Sequence, residues 1–208
     1  MRNPILSLLF VAASALAGAQ GLPSAPHLDL EHRGAFLLND PKVQSVIDLS
    51  GSQKAELNQV FRMLSDRQNS ILQGSARDDK GLIQADRIAS EQALDKLTPP
   101  QRVKLFHVAV RAAGVPGLVA PDVVTKLGLK PAQVKKIRAA LDDADQPMID
   151  LETTIAAQVR KDPKHINDVV NSYKAERKRR EKARLADQQK ALAFLTPAQL
   201  QTWKSLGS

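Results

Sequence analysis

The chain has 208 residues, of which 30 are Lys or Arg and 22 are Asp or Glu, so its formal net charge is +8. It contains no cysteine, which excludes disulfides, thiolate metal sites and cysteine nucleophiles. Its 5 Phe, 1 Trp and 1 Tyr are few for a nucleic-acid surface that stacks bases on aromatic rings. The apolar fraction of 43% is sufficient for a packed core.

The first residues have the pattern of a secretory signal peptide. A short basic start at Met1–Pro4 precedes an apolar run from Ile5 to Leu16, and Ala17-Gly18-Ala19 is a small-x-small cleavage site. The run is shorter than the roughly 20 residues that span a bilayer. We therefore predict that residues 1–19 are a cleaved signal peptide, that the protein is periplasmic or secreted, and that it has no stable membrane span.

The next segment, residues 20–40, has mixed polarity and no period, and we interpret it as a mobile N-terminal arm. From residue 41 onward the pattern is helical, so residues 41–208 are predicted to form a helical domain. The first long helix is indicated by apolar residues that recur near the helical period: Leu57, Val60, Phe61, Leu64, Ile71 and Leu72. Two further helices are predicted over residues 82–97 and 103–113.

The second half of the chain repeats this helical pattern. A long helix is predicted from Val134 to Ile155, and a second from an Asp162-Pro163 start to about Phe194, with Asp162 as N-cap. No segment has the two-residue period of a strand. We therefore predict an all-α fold of antiparallel helical hairpins in two internally repeated halves, at about 41–113 and 121–206.

The clearest repeated motif is Leu-Thr-Pro-x-Gln, which occurs twice. Thr98 and Thr196 are predicted N-caps, each followed by Pro at the first helical position. The Gln at the third position can reach back to the amide of the cap, which makes a capping box. The structural motif therefore comprises Leu97, Thr98, Gln101, Leu195, Thr196 and Gln199. Related boxes occur at Ser50 with Gln53 and, imperfectly, at Lys130 with Gln133.

These spaced Leu-Thr-x-x-Gln boxes, in a small helical chain with an export signal, resemble the Spy/CpxP superfamily of periplasmic proteins. The resemblance covers about residues 41–206. It implies helical hairpins that pair as a homodimer in a curved cradle, and an ATP-independent chaperone (holdase) or envelope-stress adaptor. Its partners would be unfolded or partly folded envelope proteins. This chain departs from the family in being longer and internally doubled, and in lacking dense Met and His usage.

The most distinctive charged stretch is Lys174 to Arg184. Its helix face continues an apolar stripe from Ile166 through Tyr173 onto arginines, and the client-binding candidates are Tyr173, Arg177, Arg180 and Arg184. Such a cationic stripe beside apolar residues suits acidic, partly unfolded proteins. The alternative interpretation is a solvated helix face. Nucleic acid is not the expected partner of an exported protein.

A second alternative is a metal-responsive sensor or resistance protein. His27, Glu31 and His32 lie close together in the predicted arm, and imidazoles with a carboxylate can hold a transition metal. A third alternative is a structural envelope protein without client activity. The sequence has no Gly-x-Ser-x-Gly, no phosphate loop and no His-Glu-x-x-His, so we predict no enzymatic activity and no cofactor.

Overall fold

The structure is a computed structural model that describes residues 28–74 and 78–207. The described residues form ten α-helices and three short 3₁₀ segments, with no strand among them, which confirms the all-α prediction. None of these helices combines the length and the apolar character that crossing a bilayer requires. The predicted signal peptide over residues 1–19 lies outside the described residues.

The chain divides into two compact units. The first is here called the N-terminal unit, and its described residues are 28–74, 78–127 and 201–207. The second, the C-terminal unit, is Gly128–Leu200. The N-terminal unit contains six complete helices, with 3₁₀ segments at Phe36–Asn39 and Val115–Val119: α1 (Leu30–Ala35), α2 (Pro41–Val46), α3 (Gly51–Gln73), α4 (Asp79–Asp95), α5 (Pro99–Ala113) and α6 (Pro121–Leu127).

Helix α1 lies inside the N-terminal unit, where it packs against α4, α5 and α6. Asp29 caps it by accepting a hydrogen bond from the His32 amide at 2.9 Å. A Cβ built on Gly34 would lie 2.8 Å from the Cβ of Ala109, so only glycine permits this approach to α5. The prediction of a mobile arm is therefore wrong for residues 28–40. The side chains that this segment buries are Leu28, Leu30, Ala35, Leu37 and Leu38.

The long helices α3 and α4 run antiparallel. Near one end, Gln53 donates to the Lys96 carbonyl at 2.7 Å, and near the other Gln68 donates to the Asp86 carboxylate at 2.8 Å. Leu57 and Val60 are the buried residues of α3. Helix α4 buries mostly alanines, which allow close packing of neighbouring helices, and it ends at Asp95 shortly before the Leu97 box.

The C-terminal unit is built around α7 (Pro131–Lys161), which packs against α8 (Ile166–Ser172), α9 (Lys174–Gln188) and the 3₁₀ segment Gln189–Phe194. A final helix, α10 (Pro197–Leu206), begins in this unit and continues into residues of the N-terminal unit. Helix α7 buries six residues on one face: Ile137, Leu141, Ala144, Leu151, Ile155 and Val159. This face is the core of the unit.

The predicted helix start at Asp162-Pro163 is wrong. Asp162 is instead the C-cap of α7, and α8 begins at Ile166. The Asp162 carboxylate contacts the His165 ring nitrogen Nδ1 at 2.9 Å rather than capping a helix. The predicted continuous helix is also divided, because α8 ends at Ser172 before α9 begins at Lys174.

Candidate functional site

Two capping boxes of the N-terminal unit are joined to each other through their glutamines. Gln53 Nε2 donates to Gln101 Oε1 at 2.8 Å, and Gln101 Nε2 donates back to Gln53 Oε1 at 3.2 Å. Each glutamine oxygen also accepts from its own cap, because the Ser50 and Thr98 amides both donate at 2.9 Å. The start of α3 is thereby fixed to the start of α5.

Each glutamine also bonds to the backbone just before the other box. Gln53 Nε2 donates to the Lys96 carbonyl at 2.7 Å, and Gln101 Nε2 donates to the Asp48 carbonyl at 3.0 Å. Asp48 has a φ of 57°, in the left-handed region, and its carboxylate pairs with Lys104. Both donor hydrogens and the acceptor oxygen of each glutamine are therefore satisfied. We call this arrangement the glutamine lock.

A second glutamine lock occupies the corresponding place in the C-terminal unit. Gln133 Nε2 donates to Gln199 Oε1 at 2.9 Å and to the Phe194 carbonyl at 3.0 Å. Gln199 Nε2 lies 3.4 Å from the Gly128 carbonyl, and Gly128 has a φ of 59°, close to that of Asp48. This lock joins the start of α7 to the start of α10.

The predicted capping residues lie at the starts of their helices, but the Thr98 box differs from the prediction, because its glutamine bond forms while the Thr98 hydroxyl makes no cap bond. Thr196 Oγ1 accepts from the Gln199 amide at 3.3 Å, and the Thr196 amide donates to Gln199 Oε1 at 2.9 Å. Lys130 has no side-chain acceptor, so that box has only the glutamine half, in which the Lys130 amide donates to Gln133 at 3.0 Å. The sequence predicted the boxes but not their pairing into locks.

The predicted cationic stripe lies against α7 rather than on an open surface. Arg177 Nε donates to the Glu152 carboxylate at 2.7 Å. Arg180 donates to the Pro147 carbonyl at 2.6 Å, and Arg184 lies 3.4 Å from the Asp145 carboxylate. The side chains of the three arginines retain only 24%, 33% and 30% of their exposure.

The acidic residues of α9 lie beside the same arginines. Hydrogen bonds from Arg179 and Arg180 hold the pKa of Glu176 well below its usual value, at about 2. Arg184 forms a two-bond pair with Glu181 at 2.7 and 2.9 Å, and this bonding raises the pKa of Arg184. Gln188 completes the contact by donating to Asp145 at 2.8 Å. Charge-assisted bonds, rather than apolar packing, hold this part of α9 to α7.

Tyr173 is half-buried and belongs to the core of the C-terminal unit. It packs, with Met148, Val169 and Val170, against a buried cluster of Leu151, Ile155 and Val159. The structure therefore gives all four client-binding candidates internal contacts. Because Tyr173 and the three arginines face α7, a partner that approaches from outside meets other side chains of α9 first.

An open, shallow surface along one side of α7, here called the groove, was not identified by the sequence analysis. Its lining residues all belong to α7: Met148, Ile149, Glu152, Thr153, Ala156, Ala157 and Arg160. Ile149 is 53% exposed within it, and the exposed Ala157 lies two turns further along the same side of the helix. Glu152 and Arg160 place one charge of each sign at its rim. Ile149 lies one position off the apolar period of α7, and this is the signal that could have indicated the groove.

The metal-binding alternative involved residues near α1. His27 lies outside the described residues. The backbone amide of Glu31 donates a hydrogen bond to the Asp122 carboxylate at 3.0 Å. The ring nitrogen Nδ1 of His32 contacts Asp29 Oδ1 at 2.7 Å. Across residues 28–74 and 78–207, no three His, Cys, Asp or Glu side chains are grouped so that they could hold a metal ion.

Nearby, Arg33 on the same helix is partly buried. Burial lowers its pKa, and the negative charge of Asp122 partly offsets this effect. The residues of α1 that the sequence suggested for metal binding are thus part of a helix with structural hydrogen bonds.

Comparisons of this chain with protein-family models, with curated proteins and with solved structures give no match.

Proposed function

We propose that this protein is an exported, non-enzymatic holdase or stress adaptor that binds partly unfolded proteins without ATP. The observation that carries the proposal is the open groove of α7, in which Ile149 and the methyl groups of Ala156 and Ala157 are available to an apolar segment. An exposed apolar surface rimmed by polar residues is typical of protein-binding sites. Met148 contributes a flexible side chain, which suits clients of varied sequence.

Two further features support the proposal. The capping boxes at Thr98 and Thr196 underlie the resemblance to Spy/CpxP proteins, and both boxes contribute a glutamine to a lock. The chain also has a net positive charge of +8, which favours encounter with acidic chains. The client surface we propose is the groove, in place of the arginine stripe that the sequence suggested.

The test is light scattering of a chemically unfolded client during refolding. We expect the purified protein to suppress aggregation, and we expect the double variant Ile149→Gln with Ala157→Gln to suppress it less. The matched control is Val46→Gln with Val103→Gln, since these valines are 54% and 58% exposed but lie on the N-terminal unit. No suppression by the wild type at several-fold molar excess would refute the holdase proposal. An equal loss of suppression in both variants would show that the groove is not the client-binding surface.

Calorimetry on metal-free protein distinguishes the metal-sensor alternative from the holdase proposal. We expect zinc, copper, nickel and cobalt to bind weakly, because no group of three possible metal ligands occurs within residues 28–74 and 78–207. Micromolar binding that His27→Ala with His32→Ala abolishes would favour the sensor. A protein that neither binds metal nor suppresses aggregation would fit the third alternative, a structural envelope protein.

A further inference from the structure

The charges of α9 are sorted between its two sides. Its acidic residues Glu176 and Glu181 are half-buried and paired with arginines. By contrast, three lysines on the other side are exposed, and none has an ion-pair partner among the residues that the structure describes: Lys174, Lys178 and Lys182. The inner side of the helix is therefore neutralised, and the outer side keeps its positive charge.

The lysines form a single row along the helix. They are spaced one turn apart, so Lys174 and Lys182 lie about 12 Å from each other along the axis at ~1.5 Å per residue. Short side chains lie beside them on the same exposed side, at Ala175, Ala183 and Ala186. The acidic residue nearest to this row, Glu181, lies three positions after Lys178, but its carboxylate is paired with Arg184 at 2.7 and 2.9 Å. We call it the lysine face.

We propose that the lysine face docks on the surface of an anionic phospholipid bilayer. The complementarity is one of charge, because a row of uncompensated lysines is attracted to the negative surface of such a bilayer. The alanines beside the row are too short to hold it away from a flat surface. Leu185, which is 51% exposed at the same level of the helix, provides an apolar group that can enter the interface.

The residue types on the two sides of α9 favour a lipid surface over a structured partner. Arginine binds through a rigid fork that suits fixed geometry, and the arginines facing α7 use it in this way. Lysine is a flexible point charge, which suits mobile headgroups that have no fixed positions. Arg179 lies on the outer side, but its bond pair with Glu176 compensates its charge. This proposal uses neither the groove nor the holdase activity, so it stands independently of them.

The test is cosedimentation of the whole chain with vesicles at low salt. One set contains phosphatidylcholine alone, and the other contains added phosphatidylglycerol. We expect binding to the anionic vesicles to fall on the order of a hundredfold in Lys174→Gln, Lys178→Gln, Lys182→Gln, which corresponds to about fivefold per lysine. Restoring the charge with arginine at the three positions should restore binding. High salt should abolish the binding, because the distance over which charges attract each other becomes shorter as the ionic strength rises.

The matched control removes the same charge from the same unit, in the variant Lys135→Gln, Lys136→Gln, Lys164→Gln, whose three lysines are also exposed. An equal loss in this control would show that only net charge matters and would overturn the proposal. Equal binding to neutral vesicles would attribute the contact to apolar segments instead. A duplex DNA probe completes the design, and binding to DNA without binding to anionic vesicles would assign the lysine face to nucleic acid.

Discussion

The side chain of Gln101 makes four hydrogen bonds. Its oxygen accepts from the Thr98 amide and from Gln53, while its nitrogen donates to the Asp48 carbonyl and to Gln53. In Gln101→Glu the carboxylate can still accept from the cap, but it cannot donate. The substitution thus separates capping from locking, which an alanine substitution would not do.

We expect Gln101→Glu to lower the free energy of unfolding by about 1 kcal/mol, because it removes the bonds that Gln101 donates to Asp48 and Gln53. Urea denaturation measures the change. The control is Gln92→Glu, an exposed glutamine of α4 in the same unit, for which we expect less than about 0.5 kcal/mol. If both variants unfold at the same urea concentration, the lock does not contribute to stability.

Glu176 makes stability depend on pH in a defined window. Its pKa is lowered from 4.5 to about 2 by its bonds to Arg179 and Arg180, so its contribution is complete above pH 4.5. The contribution is lost as the pH falls towards 2, when the folded carboxylate takes up a proton. We expect an NMR titration to give a pKa near 2, and Glu176→Gln to reduce the loss of stability over this window. A titration near 4.5 would mean that the pairs do not form in solution.

At the scale of the helical elements, the contact between α9 and α7 depends on complementary spacing. Asp145 and Glu152 are two turns apart on α7, and Arg177 and Arg184 are two turns apart on α9. In an antiparallel pair this spacing aligns both acids with both arginines. Opposite charges held in this register specify how the two helices align, which α9 could not do by apolar packing because the side that faces α7 is polar.

We therefore expect Arg180→Gln with Arg184→Gln to destabilise the protein by about 1–2 kcal/mol, since charge-assisted bonds to partly buried groups are lost. The control is Lys178→Gln with Lys182→Gln, which removes the same charge from the exposed side of the same helix. Thermal unfolding at low and high salt measures both. Equal effects would show that the arginines are solvated, as the alternative interpretation of the sequence held.

Some of these elements were predictable from the sequence and others were not. The boxes at Thr98 and Thr196 were, because capping depends on residues three positions apart. The arginine stripe was located correctly, but its partners on α7 were missed because they are distant in sequence. The matched two-turn spacing of acids and arginines is the signal that could have indicated them. Helix α1 was missed because it is short and a 3₁₀ segment interrupts the period that would reveal it.

For the whole molecule, the sequence still predicts export. The small-x-small site Ala17-Gly18-Ala19 leads us to expect a mature chain that begins at or near Gln20, with a net charge of +7 after the loss of Arg2. Intact-mass measurement of the protein recovered from the exporting cell decides this. A mass that retains residues 1–19 would instead indicate an uncleaved anchor.

In the two glutamine locks, hydrogen exchange at the backbone amide of each cap residue can report whether the lock is closed. The cap amide of an ordinary helix has no intrahelical acceptor and exchanges its hydrogen with solvent readily. Here the amides of Ser50, Thr98, Lys130 and Thr196 each donate to a glutamine oxygen at 2.9–3.0 Å. Their deuterium exchange is therefore slowed until a lock opens. With two such amides in each lock, exchange rates measured on one sample would give the local opening free energy of each lock separately.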